Sequence, residues 1–328
     1  MKEFNWAFIG SGHIAKKVAR SITKNDNQNL KHNICSMYSR NKETAKIFVD
    51  KYNAEFCDSF DEAINKDNVD CVYIATPQST HYQYIKKCLC AGKPVLCEKP
   101  VTINSLQLKK VIDLALEKHL YFSSVMSYRY GQIYDEIKNI VFNGDLGNLL
   151  TAEIEFGFDA SMLHKRTRLM DVDSGGGALL ETGIYAVSFF NSISNNTELL
   201  NVKMQKTFNG IDLEEQIILK CDDAICSIKS SLSQVLSAEC NLIFEKGQIT
   251  LPYFYRCCSY KLKSENEEKD ISFKFSYRNQ FDVVATEILN GCIQSESNPF
   301  DSMIKDMELI DLIKEKGKLK YPNSIEKI

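Results

Sequence analysis

Short apolar runs alternate with amphipathic stretches from residue 5 to about 122, and this alternation constrains the chain more than any other feature. It is the signature of β-α-β units and a parallel sheet. Residues 5–9 read as a strand, after which Ile14, Val18 and Ile22 fall at helical spacing. Residues 33–38 read as a second strand, with Asn41 placed to cap the next helix. Ser59 with Glu62, and Thr80 with Gln83, have the spacing of capping boxes. The apolar run 69–75 ends at Thr76-Pro77, and the helix over 84–90 stops at Gly92. A short strand at 95–97, a helix over 105–117 and a strand near 121–125 complete the pattern.

After residue 123 the pattern changes. Residues 150–158 alternate as a strand does, and Cys226, Ile228, Ser230 and Leu232 occupy one phase of another. Residues 241–244 and 248–251 around Lys246-Gly247 read as a hairpin. These strands follow one another without intervening helices, so a large, mostly antiparallel open sheet is expected. Helices over 281–289 and 303–313 follow, the latter stopped by Gly317, and 264–270 reads as a charged loop. The 328 residues suit two domains. The expected fold is α/β, a doubly wound parallel sheet over 1–122 followed by an α/β domain over 123–328 for substrate binding and oligomerisation.

A formal charge of −3, from 40 basic and 43 acidic residues, favours no nucleic-acid partner. No apolar stretch approaches the ~20 residues that span a bilayer. The chain enters a strand almost at once, leaving no room for a signal peptide, and a cytoplasmic location is expected. Twelve cysteines raise the question of disulfides or metal. Cys35, Cys71 and Cys97 lie in apolar strand-like runs, and Cys88-x-Cys90 and Cys257-Cys258 lack zinc spacing. Free thiols in a reducing compartment, and no metal site, are the expectation.

Three motifs carry chemistry. Gly10-Ser11-Gly12-His13-Ile14-Ala15 follows a strand and opens a helix. Its first glycine permits the tight turn, and its second lets backbone amides approach a pyrophosphate. The small Ala15 lets the helix pack closely on the sheet. At the end of the second strand stands Tyr38-Ser39-Arg40, with no acid to accept hydrogen bonds from the ribose hydroxyl of NAD. Ser39 and Arg40 suit the 2′-phosphate of NADP. Glu98-Lys99-Pro100 closes a buried strand, which places Lys99 where doubly wound folds hold ligands. There its ammonium can stabilise alkoxide character on a substrate oxygen, while Glu98 is either a surface acid or a contact to the cofactor ribose. A second cluster, Gly175-Gly176-Gly177-Ala178-Leu179-Leu180-Glu181-Thr182-Gly183-Ile184-Tyr185, sets Glu181 and Tyr185 four residues apart. On a helix they share a face, where a carboxylate and a phenol can bind a polyol and carry its proton.

Together with Ala75-Thr76-Pro77 and His81, these motifs resemble the glucose–fructose oxidoreductase and inositol dehydrogenase family (Gfo/Idh/MocA). Ser39-Arg40, the Gly-Gly-Gly-Ala-Leu-Leu and Gly-Ile-Tyr segments and Lys320-Tyr321-Pro322 are most similar to its dimeric dihydrodiol dehydrogenase and NADP-dependent D-xylose 1-dehydrogenase branch. The resemblance implies a Rossmann domain, an open sheet that is often an oligomer interface, catalytic roles for Lys99, Tyr185 and Glu181, and cofactor contacts from Thr76, Pro77, His81, Glu98, Lys99 and Arg129. The family carries aspartate at the position of Glu181, and a proline at that of Gln132. The expected activity is NADP-dependent hydride transfer at a carbinol or carbonyl carbon of a sugar, cyclic polyol or dihydrodiol, by a homodimer or higher oligomer. The alternatives are a dinucleotide-binding sensor without chemistry and an NAD-assisted sugar-processing enzyme.

Overall fold

The computed structural model describes residues 2–24, 29–163 and 167–328. Two units divide it: residues up to 126 with Ser276–Phe300, and Ser127–Phe275 with Asp301–Lys327. In the first, six parallel strands, β1 (Lys2–Ile9), β2 (Leu30–Tyr38), β3 (Glu55–Phe56), β4 (Cys71–Ile74), β5 (Val95–Cys97) and β6 (Phe122–Ser124), pair in the order β3-β2-β1-β4-β5-β6. The order reverses beside β1, so the carboxyl ends of β1 and β4 flank the crevice of a doubly wound sheet. Helices α1 (His13–Ile22), α2 (Lys42–Tyr52), α3 (Phe60–Ile64), α4 (His81–Cys90) and α5 (Ser105–Lys118) make the crossovers. Asn41 caps α2 by accepting from the Thr44 amide at 3.0 Å. Ser59 caps α3 through the Glu62 amide at 3.1 Å, while the Glu62 carboxylate reaches back to the Asp58 amide at 2.9 Å. The box expected at Thr80 and Gln83 does not form. The Thr80 hydroxyl donates instead to the Pro77 carbonyl at 2.7 Å, inside a 3-10 turn over Gln78–Thr80 that leads into α4.

The second unit begins with α6 (Gln132–Asn143), β7 (Leu149–Gly157), a π-helical turn over Leu179–Gly183 and α7 (Ile184–Ser192). Seven strands follow: β8 (Thr197–Lys206), β9 (Asp212–Cys221), β10 (Ala224–Ser231), β11 (Glu239–Phe244), β12 (Gly247–Pro252), β13 (Ser259–Ser264) and β14 (Glu268–Ser272). The eight-stranded sheet has the order β14-β13-β12-β11-β7-β10-β9-β8. Only β7 and β10 pair in parallel; the other neighbours are antiparallel. Alternation decides its faces: Ala152, Ile154, Cys226, Ile228, Cys240 and Leu242 are buried, while Ile225 and Ile243 of the opposite phase are exposed. In the hairpin Phe244 pairs with Gly247, so the turn is Glu245-Lys246. The charged stretch expected as a loop over 264–270 is mostly strand. Its Lys and Glu residues line the edge strand β14, where charge discourages edge-to-edge pairing.

Three helices close the chain, α8 (Arg278–Leu289), α9 (Phe300–Lys316) and the single turn α10 (Asn323–Glu326). The sequence boundary at 122/123 leaves α8 with the later half, whereas its apolar face completes the core of the first sheet. Phe281, Val284 and Ala285 are fully buried there among Phe4, Trp6 and Tyr73. The Phe281 ring lies 4.9 Å from Trp6 and 5.2 Å from Tyr73. Arg278 fastens the helix start by donating to the carbonyls of Ile22 at 3.0 Å and Leu30 at 2.9 Å. All twelve cysteines are free thiols, and Cys71, Cys97, Cys226 and Cys240 are among the buried ones. Among the described residues no helix is long and apolar enough to cross a membrane. Removing the Phe281 ring should destabilise the first unit by ~3–5 kcal/mol. Trp6 is the only tryptophan, so its fluorescence in a urea titration of Phe281→Ala reports that unit directly. An unchanged midpoint would detach α8 from this core.

Candidate functional site

Four strand ends of the first unit bring all the expected dinucleotide residues except Arg129 to one edge of the parallel sheet. Gly10 leaves β1 at φ +103°, and a Cβ there would run into the Ala75 carbonyl oxygen at the end of β4. Only glycine suits both the left-handed turn and this approach. A Cβ on Gly12, by contrast, would meet nothing within 4 Å, so its backbone faces open space. Behind it α1 starts with no side-chain cap and no acidic residue in its first turn. The amino end of α1 therefore favours an anion. His13 begins the helix exposed, Ile14 is half-buried and Ala15 fully buried. This loop fits the pyrophosphate of a dinucleotide.

At the end of β2 the Ser11 hydroxyl donates to Ser39 Oγ at 2.9 Å and lies 2.6 Å from Thr44 Oγ1. Three hydroxyls, with Arg40 exposed beside them, stand where a carboxylate would select the ribose diol. Thr44 was not foreseen from the sequence; it reads there as an ordinary residue in the first turn of α2. Beyond this cluster, the rings of Phe60 and Tyr84 stack at 4.8 Å.

At the end of β4, Thr76 Oγ1 lies 2.8 Å from Thr80 Oγ1, and Pro77 follows. His81 is 1% exposed, with Nδ1 2.8 Å from the Pro100 carbonyl and Nε2 3.0 Å from that of Thr76. The ring ties the β4 and β5 ends together. Glu98 is also buried, and its Oε1 accepts from the Tyr73 phenol at 2.6 Å. Burial, and then the neighbouring Glu98 carboxylate, push the Tyr73 phenol well above its ordinary value, so it remains a donor. A tyrosine in the apolar run of β4 signals such a partner, because a buried phenol needs one. Lys99 follows, half-buried, joined to Pro100 by a cis peptide bond.

Glu181, Tyr185 and Arg129 belong to the second unit. The turn between Glu181 and Tyr185 is π rather than α. The Ile184 amide donates to the Leu179 carbonyl five residues back, so the spacing of an α-helix does not apply unmodified. Glu181 faces Arg168, with contacts of 3.4 and 3.5 Å between the two nitrogens and two oxygens. No sequence signal marks Arg168. Tyr185 is half-buried beside Phe156 and Tyr255, whose rings stack at 4.4 Å with planes 4° apart; the Tyr185 ring lies 5.9 and 5.8 Å from them. Arg129, expected at the cofactor, is buried within this unit. Its guanidinium is 1% exposed and donates to Asp306 Oδ2 at 2.8 Å, Ser302 Oγ at 2.6 Å and Ser188 Oγ at 2.8 Å. It neutralises a buried carboxylate that would otherwise be costly.

The model of an oxidoreductase family with an NAD-binding Rossmann fold, GFO_IDH_MocA, matches residues 4–125, and that of the GFO/IDH/MocA C-terminal domain matches residues 134–250. A trans-1,2-dihydrobenzene-1,2-diol dehydrogenase of Mus musculus is 27% identical over 235 residues, 69% of this chain and 69% of its own. Its counterpart from Oryctolagus cuniculus is 25% identical over 299 residues, 87% of this chain and 89% of its own. The structure of KijD10, a 3-ketoreductase from Actinomadura kijaniata in complex with NADP and TDP-benzene, has the same fold. Its TM-score is 0.86 at 16% identity, over 96% of this chain and 98% of that one.

Proposed function

The chain belongs to the Gfo/Idh/MocA oxidoreductase family, and within that family we propose that it is an NADP-dependent dehydrogenase of ring-shaped sugars, cyclic polyols or dihydrodiols. The observation that carries the cofactor reading is the end of β2, where Ser11, Ser39 and Thr44 cluster and Arg40 follows without a carboxylate. Hydroxyl donors and a guanidinium favour a phosphate on the ribose over a free diol. The nicotinamide, when bound, gives or takes the hydride.

The protein's own residues then handle the proton and the charge. Tyr185 Oη exchanges the proton of the substrate hydroxyl. Lys99 contributes positive charge that favours alkoxide character at the substrate oxygen. Free phenols titrate near ~10, so a phenol that accepts a proton at neutral pH needs such a cation. Glu181, paired with Arg168, accepts hydrogen bonds from neighbouring substrate hydroxyls. The stacked Phe156 and Tyr255 beside Tyr185 favour a substrate with an apolar ring face. The relatives' dihydrobenzenediols and the rings of sugars both have one.

The cofactor assignment predicts that Arg40→Ala weakens NADPH by roughly ten-fold to a hundred-fold, from ~1.5–3 kcal/mol of lost charge-assisted bonding. NADH affinity should barely move, and equal losses by calorimetry would remove Arg40 as the discriminator. For the chemistry, Tyr185→Phe should lower kcat by ~10²–10⁴ with NADPH binding retained, and Lys99→Met should do similar damage. The double variant should fall far short of additive. A Tyr185→Phe enzyme keeping more than about half its kcat would sink the assignment.

The outer face of the second sheet supports a homo-oligomer. Ile225 and Ile243 are 38% and 40% exposed and flank Thr151 in one cross-strand row. A symmetric partner covering this row gives a closed two-fold dimer. Light scattering at micromolar concentrations should give at least twice the monomer mass of 37.4 kDa. A persistent monomer would end this reading.

A further inference from the structure

Two carboxyl groups lie fully buried beneath the segment that carries Glu181 and Tyr185. Asp212, at the start of β9, and Glu215, three residues on, are both 0% exposed. Asp212 Oδ2 accepts from the Leu179 amide at 2.7 Å, at the first residue of the π-helical turn. Glu215 Oε2 accepts from the Ser230 hydroxyl, its cross-strand partner on β10. One oxygen of each acid remains, Asp212 Oδ1 and Glu215 Oε1, and neither has any other hydrogen-bond partner. Both acids are fully buried and each acts on the other, so a proton shared between them would serve the two orphaned oxygens.

The surrounding backbone is shaped around this pair. Gly177 adopts φ +126°, and a Cβ there would collide with Asp212 Oδ1. A Cβ on Gly183, the last residue of the π turn, would sit 3.0 Å from the same Ser230 hydroxyl that donates to Glu215. Tyr321 closes the other side by donating to the Gly176 carbonyl at 2.9 Å. The single negative charge of the pair thus meets the amino end of the helical segment, where the peptide dipoles favour it.

We propose that Asp212 and Glu215 share one proton and act as positioning residues for the reaction, fixing the π turn that sets Glu181 and Tyr185. The catalytic half of this statement rests on the roles proposed above for those two residues. The anchoring half stands on its own geometry. Burial, and then Asp212, hold the Glu215 carboxyl well above the usual range. Tyr321 is the titratable group facing both acids, and its phenol is itself raised by burial and by them. No cation pairs with either acid among the described residues.

Above ~4.3, the ordinary glutamate value, the unfolded chain has released the Glu215 proton while the fold retains it. The folding constant therefore falls about ten-fold per pH unit until the raised folded value is passed, and the added stability is lost through that window. Glu215→Gln keeps a donor to Asp212 without a titratable proton, and Asp212→Asn keeps an acceptor for the Leu179 amide.

Amide hydrogen exchange on the full chain, corrected for intrinsic rates, reads the anchoring without any assay of activity. Asp212→Ala should speed exchange across residues 178–185 at least ten-fold and lower kcat by a similar factor, with NADPH affinity unchanged. Asp212→Asn should restore both. Wild-type protection of the segment should fall as pH rises from 6 to 9, and Glu215→Gln should remove most of that fall. Wild-type exchange in Asp212→Ala, or the same pH dependence in Glu215→Gln, overturns the proposal. Should Asp212→Ala fail to fold, the Glu215→Gln pH series decides alone. If Tyr185→Phe proves fully active, the catalytic roles fall, and the exchange data still judge whether the pair holds the turn.

Discussion

Parallel pairing of β1 with both β2 and β4 is the constraint on which the first unit depends. It sets the carboxyl ends of β1, β2, β4 and β5 on one edge of one sheet. The glycine loop, the Ser39-Arg40 pair, Thr76-Pro77 and Glu98-Lys99 sit at those ends. No single motif explains their convergence; the strand order does. The close approach of Gly10 to Ala75 shows how tightly the ends are drawn in, because even a methyl group there would force β1 and β4 apart. His81 and the Tyr73–Glu98 pair then fix the chain that leads to Lys99.

The second unit solves a different problem. A helical segment that starts after three glycines has little local reason to begin where it does. Its start is fixed from a distance by Asp212, and its π turn lies against Ser230. π turns within helices are often found where function requires an exact side-chain direction. Here the turn separates Glu181, held by Arg168, from Tyr185, packed on Phe156 and Tyr255.

Most of the fold was legible in the sequence, and most of what was missed depends on contacts distant in sequence. Most signals that act over a few residues read correctly: the caps at Asn41 and Ser59, the helix stop at Gly92 and the turn at Gly10. Thr80 misled because its hydroxyl had a second local acceptor, the Pro77 carbonyl. The amphipathic pattern of α8 shows that one face is buried but not against what, so its packing on Trp6 was invisible. The same holds for the site. Gly10, Ser39, Arg40 and Lys99 are placed by local motifs, whereas Arg129 pairs with Asp306 across 177 residues of sequence. The Asp212–Glu215 pair reads in sequence as a polar strand start; only the sheet register brings Ser230 to it.

The central claim is that this chain oxidises or reduces a ring-borne carbinol or carbonyl with NADP as its partner. The most direct test is a substrate panel of aldoses, cyclic polyols and trans-dihydrodiols, each offered with NADP⁺ and with NAD⁺, followed by reduced-nicotinamide absorbance. The account predicts turnover of at least one ring diol with NADP⁺, at a kcat/KM at least about ten-fold above that with NAD⁺. Preference for NAD⁺, or no turnover across the panel by protein that binds the cofactor tightly, would contradict it.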